Sequence, residues 1–375
     1  MLVIRGWTAA PDGRHHGAYG AEAARTLNAR SGDFLDFSAN INPLGPPETA
    51  LAAAARALKG EAGRYPDLDY PELRTALAGY LGVPSEKVLP TNGGAEALFL
   101  AARAARERKE ADVRRKAIIL EPTFSEYAAA ARAAGFEPVR VVARRSETDF
   151  RLDLAVVDNA LNEHTAGLVF LCNPNNPTGD ATPCEDVLRA AERVRSVGAA
   201  LVVDEAFTDF VPEVSVTPEV DGSLFVARSF TKFFAMPGLR LGCLVALNPG
   251  HIRAFQPSWS VNAVAAVVGI AASKDGAYAE TTLAEVARSR TALLRALRTL
   301  PGVVAYPGAA NFLLVHGPRW LPDKLARRGI LVRGCEPFCG LGPEFFRVAV
   351  RKKEENERLV EVLRSLLDAP LGGDP

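Results

Sequence analysis

Short apolar runs recur along the first two thirds of the chain, and stretches with helical periodicity separate most of them. Nearly continuous apolar strands that alternate with helices are typical of a largely parallel sheet with helices on both faces. The pattern therefore predicts an α/β fold with a mostly parallel sheet of seven strands. We place the strands at Val88, Ile118, Val139, Leu168, Leu201, Leu224 and Cys243.

The pattern changes from about Asn248 onward. A long helix is predicted over residues 279–300 and short strands over 302–306, 311–315 and 346–350, which together indicate a smaller α+β domain. The start of the chain has a helical period only over residues 21–28, and we interpret His15 and His16 as a surface or interface pair. We predict an N-terminal arm and covering segment over 1–45, a large domain over 46–247 and a small C-terminal domain over 248–375.

Composition adds few constraints. The chain has 375 residues, 48% of them hydrophobic and 23% charged, with a formal net charge of zero, so nothing favours nucleic acid as a partner. No apolar run approaches the roughly 20 residues that span a bilayer, and no signal peptide is evident, so we expect a cytoplasmic protein without a membrane partner. No metal site is predicted, because Cys335 and Cys339 have no nearby histidine or third cysteine.

The strongest chemical signal is a lysine that comes directly after two closely spaced hydroxyl residues. Lys232 follows Ser229 and Thr231, and Arg240 comes eight residues after it. Aromatic neighbours would desolvate the ammonium group, which favours a neutral, nucleophilic amine. Hydroxyl groups and a guanidinium fork suit phosphate oxygens. The segment therefore predicts a bound phosphate close to a reactive lysine.

Further polar residues stand where predicted strands end, which is where open α/β sheets bind ligands. Gly93, Gly94 and Ala95 join a strand to the start of a helix, an arrangement that suits an anion. Asp204 ends an apolar strand and would need a cationic partner. An Asn-Pro-Asn-Asn-Pro-Thr-Gly run begins at Asn173.

These motifs resemble those of fold-type I pyridoxal-phosphate aminotransferases and their decarboxylase relatives. The resemblance implies a large domain with a seven-stranded sheet, a small C-terminal domain, pyridoxal 5′-phosphate as cofactor, and Lys232 and Asp204 as catalytic residues. It implies that Lys232 carries the cofactor, that Asp204 pairs with its ring nitrogen, that Asn173 binds its 3′ oxygen and that Phe124 stacks on its ring. The residues that it implies around the cofactor phosphate are Gly94, Ala95, Ser229, Thr231, Arg240 and, from the second subunit of a homodimer, Tyr65.

Two further stretches are similar to threonine-phosphate decarboxylases, and more loosely to histidinol-phosphate aminotransferases. One is Asp-Phe-Ser-x-Asn-x-Asn-Pro-x-Gly with Ser38 and Asn40, whose backbone covers the substrate; the other is Val-Arg-x-Cys-x-x-Phe-x-Gly-Leu with Arg333. The resemblance implies that Arg333 binds a substrate phosphate and that Arg347, beside Asn311, binds the α-carboxylate. The resemblance also implies that Asn173 contacts the substrate.

Two positions depart from the family patterns. Gly334 stands where an aspartate usually follows the arginine, and Phe207 stands where many aminotransferases have a tyrosine that holds the 3′ oxygen. The resemblance implies decarboxylation of L-threonine O-3-phosphate to (R)-1-aminopropan-2-ol O-2-phosphate in cobalamin biosynthesis. An aminotransferase acting on histidinol phosphate or a related phosphorylated amino compound is the alternative, and a non-catalytic cofactor-binding protein is a third.

Overall fold

The computed structural model describes residues 31–108 and 113–369. The predicted arm, with its helix over 21–28 and the pair His15 and His16, lies outside the described residues apart from its last positions. In the part of the chain that is described, no helix is long and apolar enough to cross a membrane.

The predicted sheet of seven strands is confirmed. Its order is β2-β8-β7-β6-β5-β3-β4, and every neighbouring pair is parallel except the two that involve β8, which runs antiparallel to both β2 and β7. The strands are β2 (Val88–Asn92), β3 (Lys116–Glu121), β4 (Glu137–Val142), β5 (Ala166–Cys172), β6 (Ala200–Asp204), β7 (Leu224–Ser229) and β8 (Leu241–Val245).

The central strands are apolar throughout because both faces of the sheet are covered. In β6, Leu201 and Val203 face one hydrophobic core while Ala200 and Val202 face the other. One face packs against α3 (Gly93–Arg106), α4 (Glu126–Ala133) and α7 (Pro249–Arg253). The other packs against α1 (Glu48–Gly60), α2 (Pro71–Leu81), α5 (Leu154–Glu163), α6 (Cys184–Ser196) and α8 (Ala263–Ala272).

The C-terminal part forms a small antiparallel sheet in the order β12-β13-β10-β9. Its long helix runs three residues earlier than predicted at each end. The Asp275 side chain accepts a hydrogen bond from the Tyr278 amide and thereby fixes the start of the helix. The elements are α9 (Gly276–Leu297), β9 (Val304–Ala305), β10 (Phe312–His316), α10 (Leu321–Arg327), β12 (Arg333–Gly334), β13 (Phe345–Ala349) and α11 (Lys353–Asp368).

The segment before α1 is attached to this small sheet domain. Strand β1 (Leu35–Asp36) pairs in parallel with β11 (Ile330–Leu331), and the Ala349 amide donates to the Phe37 carbonyl at 2.9 Å. Residues 37–45 then cross towards the large sheet. The predicted boundaries at 45/46 and 247/248 stay predictions.

Candidate functional site

A cavity of about 470 Å³ lies at the carboxyl ends of β5, β6 and β7, between the large sheet and the small domain. Clefts of about 580 and 660 Å³ elsewhere are larger, but they are more open and do not contain Lys232. The cavity brings together twelve residues predicted from sequence: Ser38, Asn40, Gly94, Ala95, Phe124, Asp204, Ser229, Thr231, Lys232, Arg240, Arg333 and Arg347.

Lys232 lies in the turn after β7, partly accessible because its side chain lines the cavity. Burial of the ammonium, together with the positive charges of Arg347 and Arg240, lowers its pKa to about 8, although Asp204 acts in the opposite direction. With such a pKa, about a tenth of the amine is uncharged at pH 7. The structure therefore makes Lys232 a better nucleophile than a surface lysine.

Asp204 stands at the end of β6 with both carboxylate oxygens occupied. The Ala206 amide donates to Oδ1 at 2.9 Å and the Tyr127 hydroxyl donates to Oδ2 at 2.8 Å. Burial raises the pKa of Asp204 to about 6, and these hydrogen bonds limit the rise. No described lysine or arginine forms an ion pair with it, so the predicted cationic partner would have to come from a molecule bound in the cavity.

Hydroxyl groups, a helix terminus and a guanidinium group converge on one side of Lys232. The Ser229 and Thr231 hydroxyl oxygens lie 2.8 Å apart. Gly94, in the first turn of α3, packs against the Ser229 side chain, and Gly93 lies against the Arg240 guanidinium. Free amides at the N-terminus of a helix bind anions, so this corner has the donors that a phosphate requires.

The glycine corner is tightly packed, which makes it sensitive to one methyl group. A Cβ atom at Gly242 would lie 2.5–2.7 Å from backbone atoms of Gly93, Gly94 and Arg228. We expect Gly242→Ala to displace the start of α3 and to lower stability by about 1–3 kcal/mol, as overpacking does, and to weaken phosphate binding. Urea unfolding and cofactor titration measure both effects.

Gly238 provides the control for that substitution. It lies four residues earlier, and a Cβ atom there would meet nothing within 4 Å. Gly238→Ala should therefore leave both measurements close to wild type. Equal effects of the two substitutions would contradict the packing argument.

The contacts of Asn173 lie within its own loop, and its predicted role at the cofactor stays a prediction. Its side-chain amide donates to the Thr182 carbonyl at 2.9 Å, and its side-chain oxygen accepts from the Thr182 amide at 2.8 Å. The side chain is buried in its own loop and does not line the cavity. Asn176, three residues later in the same motif, lines the cavity instead, and its side-chain oxygen accepts from Arg347.

Arg333 and Arg347 lie directly opposite each other on the antiparallel strands β12 and β13. Arg347 donates to Asn176 and, at 2.6 Å, to the Ser38 carbonyl. The Arg333 guanidinium carbon lies 5.5 Å from the centroid of the Phe338 ring. Burial lowers the pKa of both arginines, which means that their positive charges are poorly solvated and favour an anionic ligand.

The covering segment presents backbone and amide groups to the cavity. The Ser38 hydroxyl donates to Asp36 at 2.6 Å, so its carbonyl rather than its hydroxyl contacts Arg347. The Asn40 side chain is 3% exposed, and neither atom of its amide has a hydrogen-bond partner within the described chain. Asn311 is buried with an unpartnered amide as well, but it does not line the cavity.

Asn42, which the sequence analysis did not single out, anchors this segment. Its side-chain amide donates to the Phe233 carbonyl and the Tyr278 hydroxyl, both at 2.8 Å, and to Thr282 at 3.0 Å. Its backbone amide donates to the Lys232 carbonyl at 3.1 Å. One side chain thus ties the covering segment to the lysine turn and to α9.

Tyr65 is not part of the cavity within one chain. Its side chain is 79% exposed, and its ring centroid lies 4.4 Å from that of Trp259. Its predicted role in a neighbouring subunit stays a prediction.

Aromatic residues line the wall on either side of Asp204. Phe124 packs edge-on against Tyr127 with ring centroids 5.8 Å apart, and Phe207 packs in a T-shape against Phe312 at 5.0 Å. Tyr127 was missed by the sequence analysis. It lies three residues after Phe124, in the first turn of α4, and its closeness in sequence to the predicted stacking residue is the signal that could have identified it.

The described residues include no cluster of histidine, cysteine, aspartate and glutamate that could hold a metal ion. Cys335 is buried as a free thiol, and Cys339 is a partly exposed free thiol. The hydrogen-bond donors that line the cavity are cationic groups, hydroxyl groups and amides. Such donors suit ligands with phosphate and carboxylate groups.

Comparison with known proteins agrees with this geometry. The model of the family described as "Aminotransferase class I and II" matches residues 32–363. A threonine-phosphate decarboxylase from Salmonella typhimurium strain LT2 is 38% identical over 94% of this chain and 96% of its own length. A histidinol-phosphate aminotransferase from Methanosarcina mazei is 34% identical over 90% of this chain and 90% of its own.

A solved structure gives the same result for the fold. The histidinol-phosphate aminotransferase from Sinorhizobium meliloti in complex with pyridoxal-5′-phosphate superimposes with a TM-score of 0.77, at 25% identity over 92% of this chain and 94% of that one. The family match covers most of the described chain, and the curated relatives span nearly their whole length. The chain therefore belongs to the class I and II aminotransferase family.

Proposed function

We propose that this protein is a pyridoxal-phosphate enzyme that decarboxylates L-threonine O-3-phosphate to (R)-1-aminopropan-2-ol O-2-phosphate, a step in cobalamin biosynthesis. Support comes from the similarity to a threonine-phosphate decarboxylase along nearly the whole chain. The observation that carries the substrate assignment is the pair of buried arginines, Arg333 and Arg347, at opposite positions of one small sheet.

The cavity fits pyridoxal phosphate. Ser229, Thr231, Arg240 and the start of α3 would hold its phosphate, and Lys232 would carry its aldehyde carbon. Asp204 lacks an ion-pair partner among the described residues and would pair with the ring nitrogen. When bound, the cofactor supplies an electron sink for the charge left at Cα after a bond there breaks.

The two arginines suit a substrate with two anionic groups close together. Residues opposite each other on antiparallel strands have Cα atoms about 4.5–5.5 Å apart. In threonine phosphate, the carboxylate is on Cα and the phosphate on the adjacent carbon, so one group would meet Arg347 and the other Arg333. Histidinol phosphate carries a phosphate but no carboxylate, so this substrate offers one anionic group where threonine phosphate offers two.

Residues of this chain would also handle the proton. Lys232, with its pKa lowered to about 8, can accept and return a proton near neutral pH. Phe207 has no hydroxyl to hold the 3′ oxygen of the cofactor, unlike many aminotransferases. We infer that Asn176, rather than Asn173, is the amide beside that oxygen.

The alternative is an aminotransferase acting on histidinol phosphate, which the Methanosarcina mazei relative makes a specific candidate. Incubation of the holoenzyme with threonine phosphate, with and without 2-oxoglutarate, separates the two. Release of carbon dioxide without glutamate or keto acid is expected. Transfer of the amino group to 2-oxoglutarate would overturn the proposal, and full cofactor absorbance without any turnover would indicate a binding protein.

Serine phosphate is the matched substrate control. It differs from threonine phosphate by one methyl group, which is worth about 1–3 kcal/mol of discrimination. We therefore expect the enzyme to act on it with a kcat/KM about 10- to 200-fold lower.

We further propose a homodimer in which Tyr65 of each subunit approaches the cofactor of the other. Tyr65 and Trp259 are exposed by 79% and 42% although their rings pack together, and Leu68, three residues after Tyr65, is 48% exposed. Exposed apolar side chains that lie close together are typical of protein–protein interfaces. Sedimentation velocity should give a particle of twice the chain mass of 40.0 kDa. A monomer that binds cofactor fully would contradict the proposal.

A further inference from the structure

Tyr127 is a fully buried tyrosine next to the cavity that does not itself line it. Its hydroxyl donates a 2.8 Å hydrogen bond to Oδ2 of Asp204. A hydrogen bond to a charged, buried acceptor contributes more than a neutral one, and loss of the donor leaves the acceptor desolvated. The contact therefore acts on the one carboxylate that the proposed function assigns to the cofactor nitrogen.

The ring of Tyr127 is held in place by its aromatic neighbours. Phe170 of β5 stacks on it with centroids 5.1 Å apart and an interplanar angle of 5°. Phe124 packs against its edge at 5.8 Å and 83°. Because packed aromatic rings have few rotameric alternatives, the hydroxyl has a fixed position relative to Asp204.

We propose, on the basis of the proposed function, that Tyr127 is a positioning residue whose hydroxyl keeps the Asp204 carboxylate anionic and aimed into the cavity, where it pairs with the protonated ring nitrogen of the cofactor. Tyr127 holds Oδ2, and the Ala206 amide holds Oδ1. The carboxylate consequently cannot rotate without breaking a hydrogen bond.

The charged surroundings of Asp204 agree with this role. Burial raises its pKa, and the hydrogen bond from Tyr127 is the strongest influence that lowers it again. Glu205, the residue directly after β6, raises the pKa of Asp204 and Lys232 lowers it. The other titratable groups that act on this pair are the Cys172 thiol, which faces both, and the Arg144 guanidinium, which faces Tyr127 and Cys172.

The chain contains a matched control for the loss of such a hydroxyl. Tyr80 is partly buried, and its hydroxyl donates to the buried Asp209 at 3.0 Å. Asp209 is paired with Arg228 and does not line the cavity. Tyr80→Phe therefore removes the same kind of hydrogen bond from a site without contact to the cofactor.

The test compares the wild type, Tyr127→Phe and Tyr80→Phe as full-length proteins. Each is titrated with pyridoxal 5′-phosphate and with its 1-deaza analogue, which has carbon in place of the ring nitrogen, and binding is followed by absorbance. We expect Tyr127→Phe to bind pyridoxal phosphate about tenfold more weakly or worse, and to bind the analogue as the wild type does. Tyr80→Phe should bind both compounds as the wild type does.

Kinetics provide a second measurement. The kcat of Tyr127→Phe for threonine phosphate should fall about tenfold with little change in KM, because the substrate does not touch Tyr127. The pKa of Asp204 should rise without its donor, so the loss of cofactor affinity on acidification should begin at higher pH than in the wild type. Adding Tyr127→Phe to Asp204→Asn should have no further effect on kcat.

Three results would overturn the inference. The first is a Tyr127→Phe variant that matches the wild type in cofactor affinity and kcat. The second is a variant that binds pyridoxal phosphate and its 1-deaza analogue more weakly by the same factor, which would mean that Tyr127 serves packing alone. If the wild type itself binds no pyridoxal phosphate or releases no carbon dioxide, the proposed function fails and the inference fails with it.

Discussion

Replacing Lys232 by alanine is expected to lower kcat for threonine phosphate by about 10³-fold or more, on the scale of a positioned acid–base group. The substitution removes the amine that would carry the cofactor and return a proton to Cα. The rate of carbon dioxide release by the purified variant measures the effect. Borohydride reduction should attach the cofactor to residue 232 of the wild type and should attach none at residue 232 of the variant.

The control for this prediction is Lys274→Ala, because Lys274 is exposed and lies outside the cavity. It should keep full activity and the same labelled peptide. Labelling at another lysine with activity retained in the Lys232 variant would contradict the assignment. The Lys232→Ala variant is expected to fold, because Arg347 and Arg240 both disfavour the Lys232 ammonium in the free protein and its removal therefore takes away no favourable charge contact with them.

The pH dependence of stability gives an independent check on the same residue. The pKa of Lys232 in the folded, cofactor-free protein is about 8, below the usual value of 10.5 for a lysine. Between pH 8 and 10.5 the unfolded chain binds more protons than the folded protein. The free energy of unfolding should therefore rise with pH by up to about 3 kcal/mol over this range. Urea unfolding should show a smaller rise in the cofactor-free Lys232→Ala variant.

Much of the fold could be predicted because its signals are local. Runs such as 168–171 and 200–203 are apolar on both faces, and only a sheet covered on both sides buries them fully. The motifs at Lys232 and Asp204 stand at strand ends, and parallel neighbours place those ends side by side. The strand pattern and the motifs together therefore predict that Lys232 and Asp204 lie close to each other.

The positions of Asn173, Asn176 and Tyr127 depend on contacts that sequence spacing does not encode. Asn173 and Asn176 are both asparagines of the same motif, each followed by a proline. Only the path of the loop directs the Asn173 side chain to Thr182 and the Asn176 side chain to the cavity. The pairing of β1 with β11 joins segments about 300 residues apart, a separation that no local pattern reports. The hydrogen bond from Tyr127 to Asp204 joins residues 77 positions apart, and no local pattern reports this contact either.

Substitution of Arg333 by glutamine is the second large effect expected, and it addresses the substrate rather than the cofactor. Arg333 is 2% exposed and lines the cavity opposite Arg347. Removing one member of a buried charge pair costs about 2–5 kcal/mol. The kcat/KM for threonine phosphate should therefore fall by roughly 30- to 5,000-fold.

Unphosphorylated L-threonine separates phosphate binding from general damage to the site. If Arg333 binds the phosphate, Arg333→Gln should leave the low kcat/KM for threonine nearly unchanged, whereas Arg347→Gln should lower it for both compounds. Steady-state carbon dioxide release by the wild type and the two variants, each with both substrates, gives the result. Equal losses for both substrates in Arg333→Gln would mean that this arginine supports the cavity without contacting the phosphate, and the argument for a doubly anionic substrate would then lose its main support.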